Sequence, residues 1–466
     1  MENNRHEQQK QFLSSINNYF SKNNYLNQNS SQTLNFQGGT NTMRLTGMYS
    51  MNKDKTTMNL MGMTMNQFNN PLSLNSSLIA NSGVNMTYFN NNNDNKEEKY
   101  IGKIVNGFRH GKGTLYYKNG SLKYEGDFAY DNFEGNGKCV YENGCYYIGE
   151  FKKGVKNGKG TLFYQNGSIL YEGDFVDDYY HGNGKLFDEN GEYYIGQFYK
   201  NFFKGKGALY YKNGTIKYQG DFLYDLGHGN GKYIYENGDY YIGQFFMGMK
   251  QGKGTVYNKN GKIFYEGDFF QDRCHGFGKM YNEESGEYYI GKFENNLFHG
   301  KGTLYYKNGT IKYEGDFFES FFHGNGKSIN EDGEYYIGQF YMGLTLGKGK
   351  IFYKNGSIKY EGDFCLGQAT GKGKYINEEG EYYIGHFFNN LFHGKGIIYY
   401  KNGNIKYDGD FVYGSSQGNG KYIYENGEYY IGQFLGGLKN GYGIMYNSDG
   451  TIKYKGNFKN DILIAE

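Results

Sequence analysis

From residue 100 onward, apolar and polar positions alternate in short runs broken by turn residues, and the aromatic members of those runs recur on a fixed period. Tyr-x-Gly begins at Tyr100, Tyr124, Tyr147, Tyr171, Tyr194, Tyr218, Tyr241 and Tyr265, and again at Tyr289, Tyr313, Tyr336, Tyr360, Tyr383, Tyr407, Tyr430 and Tyr454. The steps alternate between 24 and 23 residues; one step of 24 where 23 is due, Tyr265 to Tyr289, reflects an inserted residue in Glu283-Glu284-Ser285. Two residues after each Gly stands Phe, with Ile104 as the exception. Gly-x-Gly begins eleven residues after the Tyr in fifteen of sixteen units, the unit from Tyr454 being cut short. A period of this length predicts stacked supersecondary units, and the two-residue alternation within each predicts strands.

A second turn signal closes each unit. Asn119-Gly120, Asn143-Gly144, Asn166-Gly167 and Asn190-Gly191 come first, and later units repeat Asn-Gly or substitute Asp332-Gly333, Asp449-Gly450, Ser285-Gly286 and Glu379-Gly380. Asn-Gly between strand-like runs predicts a hairpin, with both residues able to take positive φ. Each unit therefore reads as strand, Asn-Gly turn, strand, and a Gly-x-Gly link of turn glycines. Gly120 to Tyr124 is four residues but Gly144 to Tyr147 is three. The longer unit must then carry a three-residue loop or a bulge, making the true repeat a 47-residue pair of unlike hairpins. The turns also differ in charge. Lys212 and Lys217, Lys307 and Lys312, and Lys354 and Lys359 flank longer turns; Glu189 and Glu192, Glu236 and Asp239, and Glu425 and Glu428 flank shorter ones. Such alternation serves strand register, since slippage sets like charges together, or serves solubility alone.

Composition sharpens the picture. There are 75 Gly, 54 Tyr and 37 Phe against one Pro and no Trp, which fits an all-β chain of many tight turns. The net charge of +2, with equal numbers of acids and bases in the repeats, lacks the basic footprint of nucleic-acid binding. Cys139, Cys145, Cys274 and Cys365 fall at unrelated repeat positions. A two-residue turn at Asn143-Gly144 puts Cys139 and Cys145 on opposite faces, which argues against their pairing and for a reducing, intracellular setting. No signal peptide, lipid anchor or membrane-length apolar run is read. Residues 1–99, rich in Asn, Ser, Gln and Met, read as disordered. Phe12, Leu13, Ile16, Tyr19 and Phe20 share one helical face, and Met43, Met48, Met51, Met58, Met61, Met63 and Met65 cluster; both read as partner-binding pieces or as accidents of biased composition.

Tyr-x-Gly-x-Phe, Gly-x-Gly and Asn/Asp-Gly at steps of 23 to 24 closely resemble the MORN (membrane occupation and recognition nexus) repeat. The resemblance implies an all-β fold: an elongated, twisted single-layer antiparallel meander of about 15–16 MORN β-hairpin repeats with an aromatic groove, behind a disordered N-terminal region. Expected boundaries are a head at 1–99, the array at 100–458 and a tail at 459–466. Members of the family serve at membrane contacts, in cilia and in protist basal complexes, and pure-repeat members look like dimeric scaffolds joined through C-terminal repeats. The strict 24/23 alternation and the long Asn/Met-rich head depart from the common pattern.

No catalytic, cofactor-binding or metal site is read. His110, His181, His228, His275, His299, His323 and His393 precede Gly-x-Gly one per hairpin, about 10 Å apart, too far to share a zinc ion. Gly-x-Gly lacks the further Gly, helix and Lys of a phosphate cradle. Carboxylates such as Glu125 and Asp127 recur identically instead of forming one distinct pocket. Tyr147, Phe151, Tyr194, Phe198, Tyr241 and Phe245 form a stripe that is either the core of the sheet or a groove open to a helix, peptide or lipid chain. Phe458, Ile462, Leu463 and Ile464 are candidates for self-association through an open sheet edge, the alternative being a tail that folds back on its own sheet. The expected function is a cytoplasmic scaffold, near the cytoskeleton or a membrane periphery, bridging cytoskeletal or membrane-associated proteins as a homodimer. Alternatives are a phosphoinositide module, weakened by the balanced charge, and a regulatory subunit acting in trans on an enzyme such as a lipid kinase.

Overall fold

The computed structural model describes residues 98–464, so the expected disordered head, its helical face and its methionine cluster lie outside the described residues. What is described is strand and turn, numbered β1 (Lys99–Val105) to β32 (Ile462–Leu463). The first strand begins at Lys99. Two compact units divide the described chain, residues 98–261 and 262–464. The first holds β1 to β14 (Met249–Tyr257), the second β15 (Ile263–Phe270) to β32. Within each, successive strands pair antiparallel, as in β1 with β2 (Phe108–Tyr116), β2 with β3 (Leu122–Ala129), and β3 with β4 (Asn132–Val140). The meander read from the repeat is what the structure shows.

Two kinds of turn alternate, and one differs from expectation. At the Asn-Gly end, Tyr117 N–H donates to Ser121 O and Gly120 N–H to Tyr117 O, each at 2.9 Å. This is a three-residue loop in which Gly alone has positive φ, 85° at Gly120. The Asn keeps negative φ, and its Oδ1 accepts the N–H two residues on, as Asn119 does from Ser121 at 2.9 Å. Shorter units close the same way, with Tyr141 N–H donating to Cys145 O and Gly144 N–H to Tyr141 O. The two-residue turn expected at Asn143-Gly144 is therefore a three-residue loop. Loop length does not distinguish the two hairpins. A bulge does: Leu115 pairs with Tyr124 and Tyr116 with Leu122, leaving Lys123 extra, whereas Cys139–Tyr147 and Val140–Tyr146 proceed without a skip. The residue inserted near Glu283 enlarges its turn and leaves the flanking Tyr281–Tyr288 register intact.

The opposite turn lies six and seven residues after each Tyr, where both residues have positive φ, for example Asn106 (52°) and Gly107 (82°), or Tyr130 (47°) and Asp131 (67°). That is a type I′ hairpin, whose twist matches the strands it joins. Gly-x-Gly is therefore no turn. It sits inside β2, and its two glycines do different work. Gly102 pairs with Gly113 and Ile104 with Arg109, so β2 bulges by two residues against β1 while Gly111 and Lys112 stay in register with β3. Gly111 supplies the positive φ, 69°, that this bulge requires.

The second glycine makes room for the core. The Tyr124 ring lies flat over Gly126 of its own strand and Gly137 of the next; a Cβ on Gly126 would stand 2.5 Å from the Tyr124 hydroxyl oxygen. That hydroxyl donates to Asp127 O at 2.9 Å, so the ring is buried with its polar end satisfied. Phe128 and Phe151 meet its edges at 5.0 and 5.2 Å, and Phe133 stacks on its outer surface at 3.8 Å. A single layer of strands thus builds a core by folding tyrosines down over glycines.

Candidate functional site

The six residues of the candidate groove are in that core. Tyr147, Phe151, Tyr194, Phe198, Tyr241 and Phe245 are at most 7 % exposed, so they present no open groove. The reason is a covering residue nine positions after each Tyr, carried on the next strand. Phe133, Tyr180, Phe203, Phe298, Phe322 and Phe392 stack on the preceding tyrosine at 3.7 to 3.9 Å. Lys156, Lys250 and Lys439 instead place an ammonium 5.9, 5.7 and 5.5 Å from the Tyr147, Tyr241 and Tyr430 ring centroids. Burial pushes the Tyr383, Tyr407 and Tyr430 hydroxyls up to about 12 and that of Tyr124 higher still. These phenols hold the fold and are poorly placed for acid–base work.

Each of the seven histidines packs against an aromatic ring, as His181 does on Tyr199 at 5.2 Å and His228 on Phe246 at 5.3 Å. Among the described residues no cluster of three His, Cys, Asp or Glu is placed to hold a metal ion. No disulfide joins the four cysteines, and Cys139 and Cys274 are buried. Asp174 accepts from Lys159 Nζ at 2.5 Å and from the Asn183 N–H in the Gly-x-Gly bulge at 2.9 Å. Burial pushes its carboxyl up, but these two bonds outweigh it and hold the group below its usual range.

Side chains link successive hairpins at both ends. At the Asn-Gly end the bulge lysine meets an acid 25 residues earlier: Lys217–Glu192 at 3.0 Å, Lys312–Glu287 at 2.6 Å, Lys359–Glu334 at 2.7 Å, Lys406–Glu381 at 2.8 Å. Cys145 and Leu170 replace both partners at once in one such pair of positions. At the type I′ end the second turn residue reaches the hairpin before it. Asp178 Oδ1 accepts the Lys156 N–H at 3.0 Å, while Asp178 N–H donates to Lys156 O at 3.0 Å. Beside these clasps the type I′ end is apolar and open: Tyr199, Phe202, Tyr224 and Phe246 in the first unit, and Tyr341, Leu366, Phe388 and Tyr413 in the second, are all exposed. This exposed edge, the covering position and the 25-residue pairing were not read from the sequence. For the edge and the covering position a fixed distance from each Tyr was the only signal, because the residues there vary; the paired Lys and Glu recur, but only their charge alternation was read.

The C-terminal candidates divide. Phe458 is buried, 5.1 Å from the Tyr430 ring. Ile462 and Leu463 turn back as β32 to pair with Lys459 and Phe458, and Ile464 N–H donates to Asn457 O at 2.8 Å. The tail therefore continues the meander for one short strand, while Ile462, Leu463 and Ile464 keep their side chains exposed.

Comparison with protein families gives fifteen matches to the MORN repeat, from residues 100–122 and 124–146 through to 407–429 and 430–452. The stretch from 265 is matched only to 282, just before the inserted residue. No curated protein matches the chain. Solved structures similar to it include a mutant TCP10 domain of Danio rerio CPAP, at 13% identity over 49% of this chain and 99% of that one, TM-score 0.19. Another is BamB from Moraxella catarrhalis, at 11% identity over 69% of this chain and 87% of that one, TM-score 0.13.

Proposed function

Because the chain belongs to the MORN-repeat family, whose repeats cover residues 100–452, we propose that it is a non-catalytic scaffold. It holds cytoskeletal or membrane-associated proteins against the type I′ ends of its hairpins, in the cytoplasm near the cytoskeleton or a membrane periphery. The observation that carries this is the recurrence of exposed Tyr, Phe and Leu at those ends. Aromatic and leucine side chains left in water at the ends of many hairpins suit a multivalent protein surface. The core tyrosine hydroxyls, meanwhile, donate to backbone carbonyls within the fold. The test is proximity labelling in the native cell with the whole chain and with Tyr224→Ser plus Phe246→Ser, which touch no buried ring of the Tyr-over-glycine core. Loss of a defined set of neighbours from the variant supports the scaffold reading; an unchanged set overturns it.

The same reading includes a homodimer through the C-terminal repeats. Strand β31 (Ile452–Lys459) pairs with β32 only at Phe458 and Lys459, so most of that edge is left for a second copy. Sedimentation of the whole chain should show a dimer that Ile462→Asp with Ile464→Asp dissociates. A monomer at every micromolar concentration rules the dimer out.

A further inference from the structure

Eleven of the three-residue loops carry Asn-Gly at the same two places, at Asn119, Asn143, Asn166, Asn190, Asn213, Asn237, Asn260, Asn308, Asn355, Asn402 and Asn426. In all eleven the Gly N–H donates to the carbonyl three residues earlier. In nine the Asn side chain is also tied down, its Oδ1 accepting the N–H two residues on at 2.9 to 3.0 Å. Those nine loops all open on Tyr.

The two exceptions open on Asp188 and Asn258, whose own side chains accept N–H groups of the loop. Asp188 Oδ1 takes the Glu192 N–H at 2.8 Å, leaving the exposed Asn190 side chain without that bond. Asn258 Oδ1 takes the N–H of Asn260 itself at 3.0 Å, and the Asn260 side chain is likewise exposed and untied. From this difference we propose that Asn190 and Asn260 are sites of spontaneous covalent modification within this set of turns. The Gly191 or Gly261 amide nitrogen bonds to the Asn Cγ, and its proton leaves with the side-chain amide as ammonia. Water then opens the cyclic imide to aspartate or isoaspartate, adding one negative charge. In the other nine turns the side chain must first break its hydrogen bond before it can swing toward the following nitrogen. A bond of ordinary strength slows that step about fivefold.

The test is peptide mapping by mass spectrometry of the whole chain aged at mildly alkaline pH, native and in urea. The native chain should convert Asn190 and Asn260 about fivefold faster than the nine tied residues. In urea the eleven rates should converge, because the turns no longer exist. Equal rates in the native chain, or faster conversion at a tied Asn, overturn the proposal. Asp188→Tyr should bring Asn190 down to the rate of the nine, with Asn260 in the same molecule as the fast reference. Continued rapid conversion of Asn190 in that variant, with Asn260 unchanged, overturns it as well.

Discussion

At the scale of single residues, the contact that recurs is a tyrosine ring laid over two glycines, and it separates glycines by the reason each is there. Gly137 lies beneath the Tyr124 ring, whose Cζ would be 2.5 Å from an added Cβ. Gly120 has open space around it and needs only its positive φ of 85°. Gly137→Ala should therefore cost about 3 kcal/mol through displacement of a buried ring. Gly120→Ala should cost about 1 kcal/mol through backbone strain. Urea midpoints of the two variants check the ranking, and the reverse order would refute it. The buried phenols make a second prediction. Tyr383, Tyr407 and Tyr430 lose their protons in the fold only near pH 12, against 10.0 when exposed. Below pH 10 both states are neutral and the stabilisation is complete. Above it the unfolded chain ionises while the fold keeps its protons, so stability falls between pH 10 and 12. Tyrosinate absorbance from the buried rings should rise together with loss of β circular dichroism; a rise well ahead of unfolding would contradict the burial.

Between neighbouring elements, the forces are different at the two ends of the strands. The Lys312–Glu287 pair is largely buried, with side chains 13 % and 12 % exposed, whereas Lys406 and Glu381 are 27 % and 30 % exposed. Removing one charge from the buried pair leaves the other stranded, so Glu287→Gln should cost about 3 kcal/mol. A double-mutant cycle on Lys406 and Glu381 should give a coupling of about 1 kcal/mol or less. A smaller loss at Glu287 than at Glu381 in urea unfolding would show that burial does not set the ranking. The elements were legible in the sequence to unequal degrees. The Asn-Gly end announces itself because the same two residues recur there. The type I′ end was hidden because its dipeptide changes at nearly every occurrence, from Asn106-Gly107 to Tyr130-Asp131 to Glu319-Ser320. Its second residue is Gly, Asp or Asn in fifteen of the sixteen turns, types that tolerate positive φ, but the first residue varies widely. What lies over the aromatic stripe was hidden for a related reason. The stripe of Tyr and Phe was plain, but the position nine residues after each Tyr ranges from Phe133 and Tyr180 through Lys156, Arg109, Cys274, Thr345 and Ala369 to Gly227 and Ser416, and no one hydrophobic pattern spans that set.

For the molecule as a whole, charge is the property that most limits its partners. Acids and bases balance in the repeats and the full chain carries only +2. Polybasic attraction to a membrane needs clustered cations, yet Lys159, Lys301 and Lys395 each have an aspartate 2.5 to 2.8 Å from the ammonium. Vesicles containing phosphatidylserine should therefore carry little of the full-length protein in flotation at physiological salt. Strong flotation that fades as salt is raised would move lipid ahead of protein as the surface this chain recognises.

The pairing of acid and lysine across 25 residues also governs how such a chain can be edited. Excising residues 336–382, one 47-residue period, brings Lys406 into the place of Lys359, 25 positions beyond Glu334, and the joint is indistinguishable from the original. Excising only 336–359 removes one hairpin and puts Tyr383 where that lysine belongs, so a carboxylate loses its counterion and a bulged hairpin is missing from the alternation. Length is thus quantised: copies can be gained or lost two hairpins at a time with the seam already fitted, except where Leu170 or Phe264 stands in the lysine position.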